Sequence, residues 1–171
     1  MNKREENQVR RLINQARFPL KKTLDSFDFE QIPSLNQPKV LTLSRGQFIK
    51  DKENVILAGN SGTGKTHLAI ALGICACQLR YKVGFYTAAG LVNELTEMES
   101  EKRLLKYQKQ WLRYDLVIVD ELGYIPFNRR SAELLFQFFS SRYERGSMII
   151  TTNLEFSEWN QIFGDEKMTA A

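Results

Sequence analysis

Residues 59–66, with the sequence Gly-Asn-Ser-Gly-Thr-Gly-Lys-Thr, follow the spacing of a phosphate-binding loop, G-x-x-x-x-G-K-[ST]. Glycines let main-chain N–H groups approach phosphates closely, and the N-terminus of a following helix adds to this anion site. The Lys65 ammonium is predicted to reach the β- and γ-phosphates of ATP, and the Thr66 hydroxyl to reach Mg²⁺. The predicted nucleotide-binding residues are Gly59, Asn60, Ser61, Gly62, Thr63, Gly64, Lys65, Thr66 and His67.

Two adjacent carboxylates, Asp120 and Glu121, end the apolar run of residues 116–119. Such a run predicts a buried strand, and α/β sheets bind ligands at the carboxyl ends of their strands. Asp120 is therefore predicted to hold Mg²⁺, and Glu121 to orient and deprotonate a water that attacks the γ-phosphate. An acidic pair after a strand is also a common helix cap. Its place after a phosphate-binding loop favours one shared site.

Further candidate residues are less specific. Asn153 follows the apolar segment 147–150, and its amide is predicted to contact the attacking water or the γ-phosphate. Asparagine at a strand end is equally common as a plain turn residue, so both interpretations stay open for this position alone. Phe27, Phe29 and Phe48 offer an aromatic ring that stacks on adenine, although aromatic residues of this kind more often pack on a core.

Strand and helix patterns alternate through the central part of the chain. Strands are predicted at residues 54–58, 82–87, 116–119 and 147–151, and helices at 65–80, 91–112 and 129–145. Four strands separated by helices predict a parallel sheet with helices on both faces. The expected fold class is therefore α/β, a three-layer αβα P-loop NTPase.

The N-terminal segment is basic. Residues 1–22 carry seven basic and two acidic side chains, a net charge of +5, whereas the whole chain carries +4. Apolar residues recur at helical spacing from Val9 to Ala16, and Pro19 ends the pattern. We predict a basic helix or arm over residues 1–24, which either contacts phosphates or is a solvated helix face. Residues 25–53 are predicted to be a linker with a short helix near 40–48, and 54–171 the ATPase core.

Several function classes are disfavoured by composition. The first residues are charged and lack the apolar stretch of a secretory signal, and the longest apolar run, 68–77, is too short to cross a bilayer. A cytoplasmic protein without a membrane partner is expected. Cys75 and Cys77 point in different directions on a helix and cannot share a metal, and His67 has no second histidine to help it bind one.

Longer motifs resemble one family. Residues 59–69, GNSGTGKTHLA, together with 120–127, DELGYIPF, and 156–168, FSEWNQIFGDEKM, resemble the IstB family of transposition helper ATPases within the AAA+ superfamily. The N-terminal stretch 16–29 belongs to the same resemblance, which thus extends over nearly the whole chain. The DnaC-type helicase loaders are the nearest relatives and provide the first alternative.

The resemblance implies an AAA+ domain that binds ATP and Mg²⁺, assembles into homo-oligomers on double-stranded DNA, and helps a transposase choose its target. It implies nucleotide and metal roles for Lys65 and Thr66, magnesium and water roles for Asp120 and Glu121, and a sensor role for Asn153. The basic N-terminal segment would contact backbone phosphates without reading bases.

One departure from the family pattern concerns the C-terminal end. In the family, the chain continues past the match to residues 168–170 into an Asp-Arg-Leu motif with an arginine finger, a last sheet strand and a helical lid. The present sequence ends at Ala171. Impaired hydrolysis is expected, because such an arginine contributes a thousandfold or more to the rate. An open sheet edge beside residues 54–58 is also expected.

Two other functions compete with an ATPase helper. A hydrolysis-deficient adaptor would bind nucleotide or DNA and compete with a complete homologue. A small-molecule kinase would use the same loop, but Glu121 beside Asp120 suits the activation of water, which a kinase must exclude.

Overall fold

A computed structural model describes residues 2–163. Residues 164–171, which include part of the motif 156–168, lie outside that range. The eight α-helices in it are α1 (Lys3–Ala16), α2 (Gln37–Ser44), α3 (Gln47–Lys50), α4 (Lys65–Gln78), α5 (Ala88–Ser100), α6 (Leu104–Trp111), α7 (Arg129–Arg142) and α8 (Asn160–Phe163). Short 3₁₀ turns lie at Leu24–Ser26, Phe29–Gln31 and Phe156–Glu158. None of the described helices has the length and apolar character needed to span a bilayer.

The sheet has four strands, β1 (Val55–Ala58), β2 (Val83–Thr87), β3 (Leu116–Leu122) and β4 (Ser147–Thr152). All neighbours are parallel, and their order is β1-β4-β3-β2. The predicted α/β class and parallel sheet are confirmed. Within residues 2–163, β1 pairs with β4 alone and forms one edge of the sheet.

Helices cover both faces of the sheet, as the alternation of side chains along β3 shows. Leu116 and Ile118 pack in one cluster with α4 and the N-terminal elements. Val117 and Val119 point the other way, into a second cluster with α5, α6, α7 and α8. Because residues two apart on a strand share a face, one fully apolar strand supplies the centre of both clusters.

Helix α4 lies very close to the sheet. A Cβ atom added at Gly73 would lie 2.8 Å from Ile118 Cδ1 and 2.8 Å from Phe18 Cε1. Only a residue without a side chain fits between these two neighbours. Gly73 thus sets the distance between the sheet and the helix that follows the phosphate-binding loop.

The single helix predicted over residues 91–112 is wrong, because two helices occupy this segment. Helix α5 ends at Ser100, and Lys102 adopts a left-handed conformation with φ of 55°. The Arg103 N–H donates to the Met98 carbonyl at 2.8 Å, which closes the end of α5 before α6 begins. Lysine, not glycine, occupies the left-handed position, so no residue type marked this break.

The segment predicted as a linker packs on the domain along its length. Phe27, Val40, Phe48 and Ile49 are all buried in the cluster that contains α4. Two helices, α2 and α3, occupy the region where one short helix near residues 40–48 was predicted. This segment therefore contributes to the core and forms one wall beside the phosphate-binding loop.

Arg142, at the end of α7, is 1% exposed. Its guanidinium donates to the carbonyls of Trp111 at 2.6 Å, Tyr114 at 3.0 Å and Ser147 at 3.1 Å. Burial lowers the pKa of Arg142 to about 10, which leaves the group protonated at neutral pH. One cation thereby joins the ends of α6 and α7 to the start of β4.

Arg142→Leu is expected to lower the free energy of unfolding by about 3–5 kcal/mol, because three buried carbonyls lose their donor. Urea unfolding followed by circular dichroism measures this loss. Arg145→Leu, three residues further on at an exposed position, is the matched control and should change stability by less than about 0.5 kcal/mol. Equal losses in both variants would contradict the role assigned to Arg142.

Candidate nucleotide-binding site

The phosphate-binding loop, residues 59–66, joins the end of β1 to the start of α4. Gly62 and Gly64 have φ values of 78° and 81°, in the left-handed region that glycine enters at little cost. Lys65 Nζ donates to the carbonyl oxygens of Gly59 at 2.7 Å and Asn60 at 2.6 Å. The ammonium group is thus held across the loop, beside the N–H groups at the start of α4.

Thr66 and Asp120 connect the loop to the sheet. The Thr66 hydroxyl lies 2.9 Å from Asp120 Oδ1 and 3.1 Å from Oδ2, although the two residues are 54 positions apart. Asp120 is 3% exposed. The predicted pair of metal-binding residues is therefore brought together at the carboxyl end of β3, with oxygen atoms as the available ligands.

Glu121 lies next to this pair in a strained conformation. Its φ is 62°, and left-handed backbone costs about 1–2 kcal/mol for a residue with a side chain. The Glu121 side chain is exposed, whereas its N–H is held by the hydroxyl of Thr151 at 2.9 Å. An exposed carboxylate at this edge of the sheet is open to water and free to accept a proton from it.

Asn153 lies at the same edge of the sheet. It follows Thr152, whose carbonyl accepts the Gly59 N–H at 3.2 Å, so the start of the phosphate-binding loop is directly adjacent. The Asn153 side chain is exposed. Its position is compatible with a contact to a phosphate group and also with a turn.

The His67 side chain faces away from the loop. Its Nε2 lies 3.1 Å from the Thr23 carbonyl and 3.3 Å from Ser26 Oγ, and its ring packs edge-on against Phe27 with centroids 5.1 Å apart. The imidazole therefore fastens the N-terminal segment to α4. Only the main-chain N–H of His67 therefore remains available for a contact with phosphate.

A cavity of about 650 Å³ opens beside the loop. Its lining includes Phe27 and Phe48 of the three aromatic candidates, and the residues of β1. Phe29 packs edge-on against Phe27 with centroids 4.9 Å apart. Other lining residues lie between positions 32 and 43, among them Ile32, Asn36 and Val40. These residues were not identified as candidates from the sequence.

A second basic surface was missed by sequence reasoning. Four exposed cations recur at spacings of four, three and four residues along α6 and its flanks: Lys102, Lys106, Lys109 and Arg113. The opposite side of α6 carries Trp111, which is buried. Within the described part of the chain, no carboxylate forms an ion pair with any of these four residues. The helical spacing of these residues could have predicted this surface, but only the larger charge of residues 1–22 was considered from the sequence.

Comparison with known proteins gives the family. The profile of the IstB-like ATP binding protein family matches residues 1–171. The chain belongs to this family. Among IstB-like relatives, the IS232 ATP-binding protein of Bacillus thuringiensis subsp. berliner is 38% identical over 168 residues, which cover 98% of this chain and 67% of the relative. The IS21 ATP-binding protein of Pseudomonas aeruginosa is 39% identical over 170 residues, covering 99% and 64%.

This IstB-like chain thus spans about two thirds of the length of these insertion-sequence relatives. Among solved structures, AMPPCP-bound DnaA from Aquifex aeolicus superposes with a TM-score of 0.75 at 19% identity, covering 90% of this chain and 48% of that one. The DnaC helicase loader superposes with a TM-score of 0.64 at 19% identity, covering 99% and 93%. These likenesses establish the P-loop AAA+ fold of the IstB-like chain.

Proposed function

We propose that this chain binds ATP with Mg²⁺ at the phosphate-binding loop and uses the nucleotide to control its assembly on double-stranded DNA, where it assists a transposase. The contact between Thr66 and Asp120 carries the proposal, because it joins the loop and the acidic strand end into one site. Family membership supports ATP binding, and the insertion-sequence relatives support a role in transposition.

The residues at the site fit a magnesium ion. Mg²⁺ prefers oxygen ligands and is held in NTPases by few protein groups together with phosphates. The Thr66 hydroxyl and the Asp120 carboxylate are such a pair, and they would hold the ion. When bound, it neutralises charge that develops on the phosphate oxygens.

Lys65, Glu121 and Asn153 each have a separate role in hydrolysis. Lys65 exchanges its contacts with the Gly59 and Asn60 carbonyls for the β- and γ-phosphate oxygens. Glu121 orients a water and accepts its proton as the water oxygen attacks the γ-phosphorus, so that ADP leaves. Asn153 hydrogen-bonds the γ-phosphate or that water.

The cavity beside the loop takes the base. Its lining combines the aromatic residues Phe27 and Phe48 with polar residues that include Asn36 and Asn54, and the two kinds of surface suit the faces and the polar edge of a purine. The Phe27 ring also adjoins Gly64, where an added Cβ atom would lie 3.2 Å from Phe27 Cε2, so in this arrangement the ring lies beside both base and phosphates.

Two basic surfaces support contact with DNA. Helix α1 buries Val9 and Ala16 on the domain and exposes Arg4, Arg10 and Arg11. Helix α6 and its flanks expose the other four cations. A replication initiator DnaA with the same fold, TM-score 0.70 at 17% identity, was solved with AMPPCP and single-stranded DNA. Lysine and arginine side chains free of carboxylates suit backbone phosphates.

Charge removal tests the binding of DNA by these surfaces. In the triple variants Arg4/Arg10/Arg11→Gln and Lys106/Lys109/Arg113→Gln, the slope of log affinity against log salt is expected to fall by about 0.9 for each DNA phosphate that is no longer neutralised. Fluorescence anisotropy with labelled duplex DNA and ATP measures it. The double variant Lys50/Lys52→Gln, at exposed positions around the end of α3, is the control.

An unaltered salt slope in both triple variants would show that these surfaces are merely solvated. Substitution is preferable to deletion of residues 1–22, because deletion removes Val9 and Ala16 from the core.

A second function, loading of a helicase, is favoured by the DnaC helicase loader, whose structure matches 99% of this chain. The two functions differ in their preferred nucleic acid. Tighter ATP-dependent binding to duplex than to single-stranded DNA supports a transposition helper, and the reverse order supports a loader.

A further inference from the structure

Thr151 lies in β4 beneath the two carboxylates and is 1% exposed. Its Oγ1 lies 2.9 Å from the Glu121 main-chain nitrogen and 2.5 Å from Asp120 Oδ1. Because a main-chain N–H can only donate, Thr151 Oγ1 accepts from Glu121. The single hydroxyl proton of Thr151 is then directed to the Asp120 carboxylate, which can only accept when ionised.

The ladder between β3 and β4 explains why this hydroxyl has two partners. Val119 pairs with Ile150 and Leu122 with Thr152, so Asp120 and Glu121 together face Thr151 alone. One extra residue on β3 makes a β-bulge, a feature that re-aims side chains next to active sites. The Thr151 side chain binds the Glu121 N–H at this irregular point of the ladder.

The bulge and the left-handed conformation of Glu121 set the directions of the Asp120 and Glu121 side chains. Asp120 stays buried and contacts Thr66, whereas the next side chain, Glu121, emerges on the exposed surface. Two adjacent residues of a regular strand would point to opposite faces of the sheet. The hydroxyl of Thr151 contacts the Asp120 carboxylate and the main-chain N–H of Glu121.

We propose that Thr151 is a positioning residue that fixes the Asp120 carboxylate for Mg²⁺ and the Glu121 carboxylate for the attacking water. It touches neither ligand itself. Thr66 approaches Asp120 from the loop and Thr151 approaches from the sheet, so the carboxylate is held between them. The inference rests on the proposed function of this site and assigns the alignment of its acidic half to β4.

The neighbouring Thr152 provides a matched control. It is equally buried, and its hydroxyl also makes two hydrogen bonds, donating to the Leu122 carbonyl at 2.7 Å and accepting from the Leu154 N–H at 3.1 Å. It contacts neither carboxylate. Thr151→Val and Thr152→Val therefore remove comparable buried hydrogen bonds from the same strand, and only the first releases the acidic pair.

The test is the Mg²⁺ concentration that half-saturates binding of a fluorescent ATP analogue, measured beside its affinity in EDTA. Thr151→Val should raise that concentration about ten- to a hundredfold, the range found when support of a metal ligand is removed. Its affinity in EDTA should stay unchanged, because the phosphate-binding loop is intact. Thr151→Ser retains a hydroxyl and should behave like the unsubstituted chain, and Thr152→Val should leave the magnesium requirement unchanged.

An equal shift in Thr151→Val and Thr152→Val would overturn the inference, since loss of any buried hydroxyl would then be enough. An unchanged magnesium requirement in Thr151→Val would also overturn it. Thr151→Ala removes the hydroxyl with less crowding and replaces the valine variant if circular dichroism shows that variant unfolded. If the unsubstituted chain binds the analogue equally well with Mg²⁺ and with EDTA, the proposed magnesium site itself fails.

Discussion

Lys65→Ala is expected to weaken binding of ATP at least about a hundredfold, because a charged hydrogen-bond donor contributes about 1.5–3 kcal/mol for each contact and Lys65 makes several with phosphate. The structure places its ammonium between the Gly59 and Asn60 carbonyls, at the mouth of the loop. Fluorescence titration with a labelled ATP measures the affinity. The effect should be much smaller for adenosine, which has no phosphates.

Two further variants locate this effect. Lys65→Met keeps the aliphatic stem and should lose as much affinity as Lys65→Ala, which separates the charge from packing. Lys50→Ala, at an exposed position in α3, removes an equal charge away from the loop and should bind normally. Unchanged ATP affinity in Lys65→Ala would refute the phosphate-binding role of residues 59–66.

Glu121→Gln is expected to leave ATP affinity within about twofold and to lower turnover by about 10²–10⁴-fold, the usual contribution of a general base. Glutamine and glutamate have nearly the same size and both carry a Cβ atom. The free-energy cost of the left-handed backbone at φ 62° is therefore the same in both. Release of inorganic phosphate in the presence of duplex DNA measures turnover, and Glu97→Gln on the exposed side of α5 is the control.

The outcome also separates a hydrolysing helper from a binding adaptor. Turnover that depends on Glu121 supports the ATPase. Tight ATP binding without turnover in the unsubstituted chain supports the adaptor. Turnover that is equal in the unsubstituted chain and in Glu121→Gln would exclude Glu121 as the base.

Much of the fold followed from local pattern. The apolar runs that became β3 and β4 are almost wholly buried and that of β2 is mostly so, whereas β1 at the edge is half-buried; buried parallel strands require such runs. The break between α5 and α6 did not follow, because a left-handed lysine closes α5 where no glycine or proline occurs. Packing of residues 24–50 on α4 also escaped the sequence, since widely spaced apolar residues do not reveal which surface they cover.

The sequence by itself determined the phosphate-binding loop, because its chemistry depends on main-chain amides, two left-handed glycines and one lysine within eight successive residues. It also determined that Asp120 and Glu121 end a buried strand. Only the tertiary structure decided that Thr66 contacts Asp120, that the Thr151 hydroxyl contacts the Asp120 carboxylate and the Glu121 main-chain N–H, and that a cavity adjoins the loop. The Thr151 contacts depend on the register of β3 against β4, and the Thr66 contact, between residues 54 positions apart, depends on the packing of α4 against β3; no local pattern contains either.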